Sequence, residues 1–235
     1  MNGARGGIGT LAESSLHAAL VAWYAQPGDA LEAVVSGYVI DIKREDLLIE
    51  VQTGNFAGLR SKLAQLLPRH QVRVLYPLPV AKWIVRTSAE GEVLARRKSP
   101  KRARVEDVFR ELVSLPELLS HSHLAIEIVW VEMEEVWRQD GRGSWRRRGW
   151  SIADRRLLAV QGSQRLQAPA DYLALLPATL PDPFSNRDLA QRLGCPLPLA
   201  GKMTYTLRQA GWLALAGKRG KALVFTPPAG EGGAR

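Results

Sequence analysis

Two β-rich segments of this chain place carboxylates where strands would otherwise carry apolar side chains. Residues 32–42 and 47–52 are rich in valine, isoleucine and leucine, and they flank the charged tetrapeptide Lys-Arg-Glu-Asp at 43–46. This pattern is typical of a hairpin. Apolar residues occur at both alternating sets of positions, which predicts a sheet covered on both sides. A carboxylate in such a sheet is costly unless it is paired with or binds a cation.

The hairpin is predicted to present three polar side chains on one face. A turn centred on Arg44 and Glu45 would pair Val39 with Glu50, and strand alternation then decides which side chains share a face. The side chains on that face are those of Asp41, Glu50 and Gln52. Two carboxylates fixed a few ångströms apart supply the hard oxygen ligands that Mg²⁺ or Mn²⁺ prefers and leave room for a phosphate oxygen. The pattern predicts a divalent-metal site suited to phosphodiesters.

Helical patterns lie on both sides of the hairpin. Thr10 and Glu13 have capping-box spacing, and an apolar stripe then runs to Pro27. Residues 56–67 carry leucines at helical spacing and end at Pro68, and 71–76 is strand-like. The predicted order is helix, strand, strand, helix, strand.

This order, with Asp41 on one strand and Glu50-Val51-Gln52 on the next, resembles the PD-(D/E)XK nuclease superfamily over residues 11–86. The resemblance implies an α/β fold with a restriction-endonuclease-like mixed-sheet core. It implies that Asp41 and Glu50 bind the metal, that the main-chain carbonyl of Val51 is a further ligand, and that Glu13 on the first helix joins them. The implied activity is Mg²⁺- or Mn²⁺-dependent cleavage of DNA, an endodeoxyribonuclease.

The third signature position departs from the family pattern, because Gln52 replaces the usual lysine. An amide has no positive charge and no useful proton chemistry. Lys62, on the following helix, is a candidate substitute cation. The residues alone leave other roles open: Asp41 and Glu50 paired with arginines, Glu13 as a capping side chain, and Gln52 as a structural amide bonded to a neighbouring loop.

The charge of the chain favours a polyanionic partner. Lysine and arginine total 32 against 23 acidic residues, which gives a formal charge of +9. This charge indicates a nucleic acid partner, and together with the winged-helix pattern described next it indicates duplex DNA.

Residues 185–193 and 199–210 have helical patterns separated by a turn at 194–198, and two short strands follow around 218–221. This order has the outline of a winged helix, which is predicted as a second domain after the α/β core. Winged helices place their second helix in the major groove and use the hairpin as a flanking contact. The predicted contacts are Lys202, Tyr205, Arg208 and Gln209 on the helix and Lys218, Arg219 and Lys221 on the wing. Winged helices also dock proteins, so this alternative stays open.

Two further basic segments interrupt the middle of the chain. Between Trp145 and Trp150 lie Arg146, Arg147 and Arg148, which could bind a sugar-phosphate backbone while a tryptophan stacks on a base. A hairpin with a solvated basic face is the alternative. The basic run 96–104 is predicted to be an exposed connector that adds nonspecific affinity.

The predicted organisation is a nuclease-like core at 1–104, an α/β elaboration at 105–167 and a winged helix at 168–235. No apolar run reaches the length of a membrane span, and residues 1–10 lack the apolar stretch of a secretory signal. The single cysteine, Cys195, agrees with a reducing compartment. These features predict a cytoplasmic protein without a membrane partner.

Two other hypotheses remain at this point. One is a nuclease-derived module that has lost catalysis and binds or assembles on DNA, which a salt bridge at Asp41 or Glu50 would favour. The other is a winged-helix regulator whose N-terminal part forms a homodimer.

Overall fold

The computed structural model describes residues 15–141 and 149–227, and these residues form two compact units. The larger unit comprises residues 28–78, 104–129 and 163–227, and the smaller unit comprises 15–27, 79–103, 130–141 and 149–162. The chain has a mixed α/β architecture. None of the described helices is long and apolar enough to cross a membrane.

A seven-stranded mixed sheet is the main element. Its strands are β1 (Ala30–Val35), β2 (Tyr38–Arg44), β3 (Leu47–Val51), β4 (Gln71–Thr87), β5 (Val93–Lys98), β6 (Leu124–Gln139) and β7 (Trp150–Leu166). The strand order is β1-β2-β3-β4-β6-β7, and β5 pairs with β4. Strands β4, β6 and β7 each contribute residues to both units.

Six helices accompany the strands within the described residues. They are α1 (Ser15–Tyr24), α2 (Arg60–Leu66), α3 (Phe109–Leu112), α4 (Pro169–Leu173), α5 (Asn186–Leu193) and α6 (Leu197–Gln209). Short 3₁₀ turns span Phe56–Leu59, Val105–Val108 and Pro116–Leu118. The predicted helix, strand, strand, helix, strand order is present, except that a turn at 36–37 divides the predicted strand 32–42 into β1 and β2.

The hairpin between β2 and β3 has a different register from the predicted one. Its turn lies at Glu45 and Asp46, so Ile42 faces Ile49 rather than Leu47. The shift is two residues, and a strand's side chains repeat every two residues, so the assignment of faces is unchanged. Ile42 and Ile49 are fully buried on the face away from the carboxylates.

The connection from β3 to β4 is a crossover through α2. Strand β3 runs parallel to β4, with Glu50 beside Val74, and parallel neighbours need such a crossover. Leu63 and Leu66 of α2 are fully buried, as the leucine spacing predicts. Helix α2 is thereby fixed over the larger unit's sheet.

The segment after the basic run, residues 105–119, has a helical sequence pattern, but it does not form one continuous helix. The structure has two 3₁₀ turns around the single turn of α3. Pro116 begins the last of these turns, and proline in a helix interior removes a hydrogen bond and clashes with the preceding turn. The apolar spacing is real, since Phe109, Leu112 and Leu115 are fully buried.

The basic run 96–104 is also more ordered than an exposed connector. Arg96 and Lys98 belong to β5, which pairs with β4. The chain beyond β5 stays attached to β4, because the Ser99 amide donates to the Lys82 carbonyl at 2.7 Å and the Ala103 amide donates to the Pro79 carbonyl at 3.0 Å.

The C-terminal region forms two helices and a small sheet. Ser185 caps α5 reciprocally with Asp188, and Gly194 ends the helix in a left-handed conformation, as both residue types favour. Helix α6 begins two residues before the predicted Leu199. Strands β9 (Ala214–Arg219) and β10 (Ala222–Thr226) form a hairpin, and β10 also pairs with β8 (Phe184–Ser185).

Glu32 has a left-handed backbone, with φ of 50°, in the middle of β1. A side chain with a Cβ pays about 1 kcal/mol or more for this conformation, whereas glycine does not. We expect the free energy of unfolding, measured by urea denaturation, to be about 1 kcal/mol higher for Glu32→Gly than for Glu32→Ala. Equal stability of the two variants would show that the strand relaxes its backbone at no cost.

Candidate functional site

Strands β2 and β3 stop pairing at the position of the two predicted carboxylates. The last cross-strand pair is Ile42 with Ile49. Beyond it, β2 stays paired with β1 through Val39, and β3 stays paired with β4 through Glu50. We call this opening, with Asp41 on one side and Glu50 on the other, the fork.

In the fork the Asp41 side chain, instead of a backbone group of β2, bonds to the backbone of β3. The Val51 amide donates a hydrogen bond to Asp41 Oδ2 with an N···O distance of 2.7 Å. A carboxylate that accepts from a backbone amide is a strong, charge-assisted partner. Asp41 is therefore fixed against the end of β3, beside the residue that follows Glu50.

Lys62 closes the other side of the fork. Its ammonium lies 2.5 Å from Glu50 Oε1 and donates to the Val39 carbonyl at 2.6 Å. The Glu50 and Lys62 side chains are only 7% and 15% exposed. The cation proposed from the sequence as a substitute for the missing lysine thus lies against the predicted metal ligand.

The environment of Glu50 favours its neutral form. Burial raises the pKa of Glu50, the nearby Asp41 carboxylate raises it further, and Lys62 lowers it in part, with the result at about 7. Its ordinary value is 4.5. Near neutral pH this carboxyl group is poised between its two charge states, as groups at functional sites often are.

The raised pKa makes folding stability depend on pH. Between pH 4.5 and 7 the folded protein keeps a proton on Glu50 that the unfolded chain releases, so the free energy of unfolding falls as pH rises. The shift of the Glu50 pKa from 4.5 to about 7 corresponds to a fall of about 3 kcal/mol in the free energy of unfolding, since one pKa unit is worth ~1.4 kcal/mol. We expect Glu50→Gln to lose most of this fall, measured by urea denaturation at pH 5 and pH 8. Parallel profiles for the two proteins would contradict the assignment.

Gln52 directs its amide toward the loop that follows β3. The Nε2 group donates to the Gly54 carbonyl and, at 3.4 Å, to the Asn55 carbonyl. The Asn55 backbone is left-handed, with φ of 56°, so this hydrogen bonding holds an irregular turn before α2. Gln52 therefore has a positioning role for the segment that delivers Lys62.

Tyr76 of β4 and Glu111 of α3 lie near each other and were not predicted as site residues. Tyr76 lies on the face of Val74, which is the partner of Glu50 in the ladder. Burial and the nearby Glu111 and Asp107 carboxylates raise the pKa of Tyr76 to about 12. Glu111 also accepts a hydrogen bond from the Phe56 amide at 3.1 Å. No local sequence signal marks these residues, because they meet only through the tertiary fold.

Two of the predicted DNA-contacting residues in the C-terminal region have side-chain contacts within the protein. Lys202 is half-buried and donates to the Arg110 carbonyl at 3.2 Å. Arg219 turns back to the Asp188 carboxylate at 3.1 Å and the Pro183 carbonyl at 2.7 Å. Arg219 is itself exposed, as are the remaining predicted contacts: Tyr205, Arg208, Gln209, Lys218 and Lys221.

Several predicted residues lie outside the described ranges. They are Glu13, Arg146, Arg147 and Arg148. Among the residues that the structure describes, no group of three or more histidine, cysteine, aspartate or glutamate side chains is arranged to hold a metal ion. The fork contributes two such side chains.

Comparisons with known proteins place the chain in a family. A family described as "Domain of unknown function (DUF8091)" matches residues 14–167, which is more than half of the 235 residues. This chain belongs to the DUF8091 family. The matched region contains the whole fork, including Lys62.

A relative of this DUF8091 protein is an uncharacterized protein of Treponema pallidum (strain Nichols). It is 33% identical over 219 residues, which cover 93% of this chain and 86% of the relative. The similarity therefore extends beyond the DUF8091 match into the C-terminal region. No solved structure matches the chain.

Proposed function

We propose that this DUF8091 protein is a Mg²⁺- or Mn²⁺-dependent nuclease that hydrolyses phosphodiester bonds of DNA at the fork. The observation that carries the proposal is the convergence of Asp41, Glu50 and Lys62 at one opening in the sheet. Carboxylates that hold a divalent metal ion and a positive charge beside the phosphate are groups that can catalyse hydrolysis of a phosphodiester. The proposed fold is accordingly a restriction-endonuclease-like core.

The donor set of the fork fits a hard divalent cation. Asp41 and Glu50 offer carboxylate oxygens, which Mg²⁺ and Mn²⁺ prefer. The repulsion from Asp41 that helps to raise the pKa of Glu50 is a cost that a bound cation would remove. Asp41 and Glu50 would hold the ion, and the main-chain carbonyl of Val51 is the further ligand that we propose.

A bound ion would activate a water molecule and neutralise charge on the phosphate. The protein's own groups have distinct tasks around it. Asp41, held by the Val51 amide, and Glu50 would hold the ion from two neighbouring strands. Lys62, held by the Val39 carbonyl, provides the positive charge that stabilises the additional negative charge of the transition state. Gln52 orders the loop that leads to Lys62.

We propose that the C-terminal region is a winged helix that contacts DNA. The order α5, turn, α6, hairpin β9–β10 and the pairing of β10 with β8 support this. Tyr205 and Arg208 lie on the exposed stripe of α6, and Lys218 and Lys221 lie at the tip of the hairpin. Lys202 and Arg219 also have contacts within the protein, with the Arg110 carbonyl and the Asp188 carboxylate.

Arg208→Ala is expected to weaken binding to duplex DNA by about tenfold, since one charge-assisted contact is worth about 1–3 kcal/mol. Fluorescence anisotropy with a labelled duplex in EDTA measures the dissociation constant. Arg187→Ala, an exposed arginine on α5, serves as the control for loss of one charge. A similar loss in both variants would contradict a specific contact by α6.

Cleavage of supercoiled plasmid by the purified protein, with Mg²⁺, Mn²⁺ or EDTA, tests the proposed activity. The expected result is nicked and linear DNA with either metal and none with EDTA. Linear duplex, single-stranded DNA and RNA in parallel reactions identify the preferred substrate.

A nuclease-like module without catalytic activity is the second candidate function. The observation in its favour is the Lys62–Glu50 ion pair, because a salt bridge already compensates one of the carboxylates. This hypothesis predicts salt-sensitive DNA binding and intact plasmid in every metal condition. Metal-dependent turnover that disappears in Asp41→Asn would exclude it.

A further inference from the structure

The smaller unit carries a cluster of cations around a tryptophan that the fork does not use. Arg96 Cζ lies 5.2 Å and Lys98 Nζ lies 5.0 Å from the centroid of the Trp83 ring. Both cations come from β5, where they are two residues apart and share one face. We call Trp83, Arg96 and Lys98 the Trp83 cluster.

The fold builds this cluster rather than leaving it on a loose connector. Lys98 is the cross-strand neighbour of Trp83, and Arg96 is the neighbour of Val85. The Ser99 amide bonds to the Lys82 carbonyl directly after β5. The backbone of both cations is therefore fixed, and the ring restricts where their side chains go, which lowers the entropy cost of binding a ligand.

The charge of the cluster is only partly compensated. Arg96 pairs with Glu134 at 2.7 Å and remains half-exposed. Lys98 is exposed, and within the described residues its ammonium contacts the Trp83 ring. Lys101 and Arg102 follow in the chain and are exposed as well. The surface thus presents a surplus of positive charge.

We propose that the Trp83 cluster is a binding site for the phosphate backbone of nucleic acid. Charge complementarity selects the ligand class. The two cations cover the ring, so the site suits phosphates better than base stacking on Trp83. This site is separate from the fork and needs no metal, so it adds sequence-independent affinity whether or not the fork cleaves DNA.

Protection of an exposed strand edge is the competing explanation for these charges. Lysine and arginine on an edge strand prevent pairing with another chain. The two explanations differ in the salt dependence of DNA binding. Each phosphate contact makes the slope of log K against log salt concentration more negative by about 0.9, whereas protection of a strand edge does not change it.

The test compares Arg96→Gln/Lys98→Gln with the control pair Lys43→Gln/Arg69→Gln, which removes two exposed charges elsewhere. Binding to a labelled 30-bp duplex is measured by fluorescence anisotropy in EDTA over a series of NaCl concentrations. We expect the magnitude of the slope to fall by about 2 in the first pair and by well under 1 in the control. Lys98→Gln alone, which leaves the Arg96–Glu134 ion pair in place, should lower it by about 1.

Urea midpoints confirm that each variant is folded before its slope is used. Equal slopes in the two double variants, or no DNA binding by the unaltered protein, would overturn the proposal. A variant that keeps its DNA slope but loses sedimentation with phosphatidylserine-containing vesicles would assign the surface to membranes and overturn it as well. Because EDTA is present throughout, a failure of metal-dependent cleavage leaves these results interpretable.

Discussion

Asp41→Asn is expected to reduce Mg²⁺-dependent cleavage of plasmid DNA by about a thousandfold or more. The substitution removes a negative charge from the fork, and loss of a metal ligand costs several kcal/mol of transition-state stabilisation, at ~1.4 kcal/mol for each tenfold. Asparagine keeps an oxygen that can accept the hydrogen bond from the Val51 amide. The change therefore isolates charge from the local backbone structure.

The matched control for this prediction is Asp46→Asn, which removes a carboxylate from the exposed turn of the same hairpin. Its cleavage rate should stay within about twofold of that of the unaltered protein. Asp46 is exposed in the turn, and salt and water screen its charge from the fork. DNA affinity in EDTA should be unchanged in both variants. Full activity of Asp41→Asn would remove the fork from the reaction.

Lys62→Met is expected to lower turnover by about a hundredfold while metal binding persists. A single preorganised positive charge at the reacting phosphate is worth ~10²–10³ in rate, and methionine retains the apolar stem. The affinity for Mn²⁺ should rise once Glu50 is ionised, because a positive charge 2.5 Å from a ligand oxygen no longer repels the ion. This rise should need a higher pH than in the unaltered protein, since Lys62 lowers the pKa of Glu50.

The comparison with Lys43→Met separates this effect from a general loss of positive charge, since Lys43 is an exposed lysine on β2. Turnover and Mn²⁺ affinity are measured in the same preparation, by plasmid cleavage and by calorimetry. A merely structural lysine would lower stability and both quantities together. Such a parallel loss would contradict the catalytic role proposed for Lys62.

The shared face of Asp41 and Glu50 follows from strand periodicity, and the structure retains it. The exact pairing could not be derived, because the turn depends on Glu45 in a left-handed conformation, with φ of 48°. That conformation is uncommon for glutamate, and the tetrapeptide has no glycine or asparagine to mark it. The resulting error of two residues leaves the side chains of β2 and β3 on their predicted faces.

Long-range contacts set the limit for the rest of the site. Lys62 lies on α2, and only the crossover from β3 to β4 brings its ammonium to the Val39 carbonyl, 23 residues earlier in the chain. Glu111 reaches the Phe56 amide across 55 residues, where no periodic pattern connects the two segments. Local patterns were more successful at the ends of α5, because the predicted helix 185–193 agrees within one residue with Asn186–Leu193, which Ser185 caps and Gly194 ends.

Isothermal titration of Mn²⁺ into the protein at pH 7 and pH 8.5 tests most directly whether the fork is a cation site. The expected result is binding of one ion per chain, with release of about half a proton at pH 7 and little at pH 8.5, because Glu50 has a pKa of about 7. Two buffers of different ionisation enthalpy report the released proton, and Asp41→Asn should abolish the heat. No heat from the unaltered protein at millimolar Mn²⁺, or the same isotherm from Asp41→Asn, would contradict a metal site at Asp41 and Glu50.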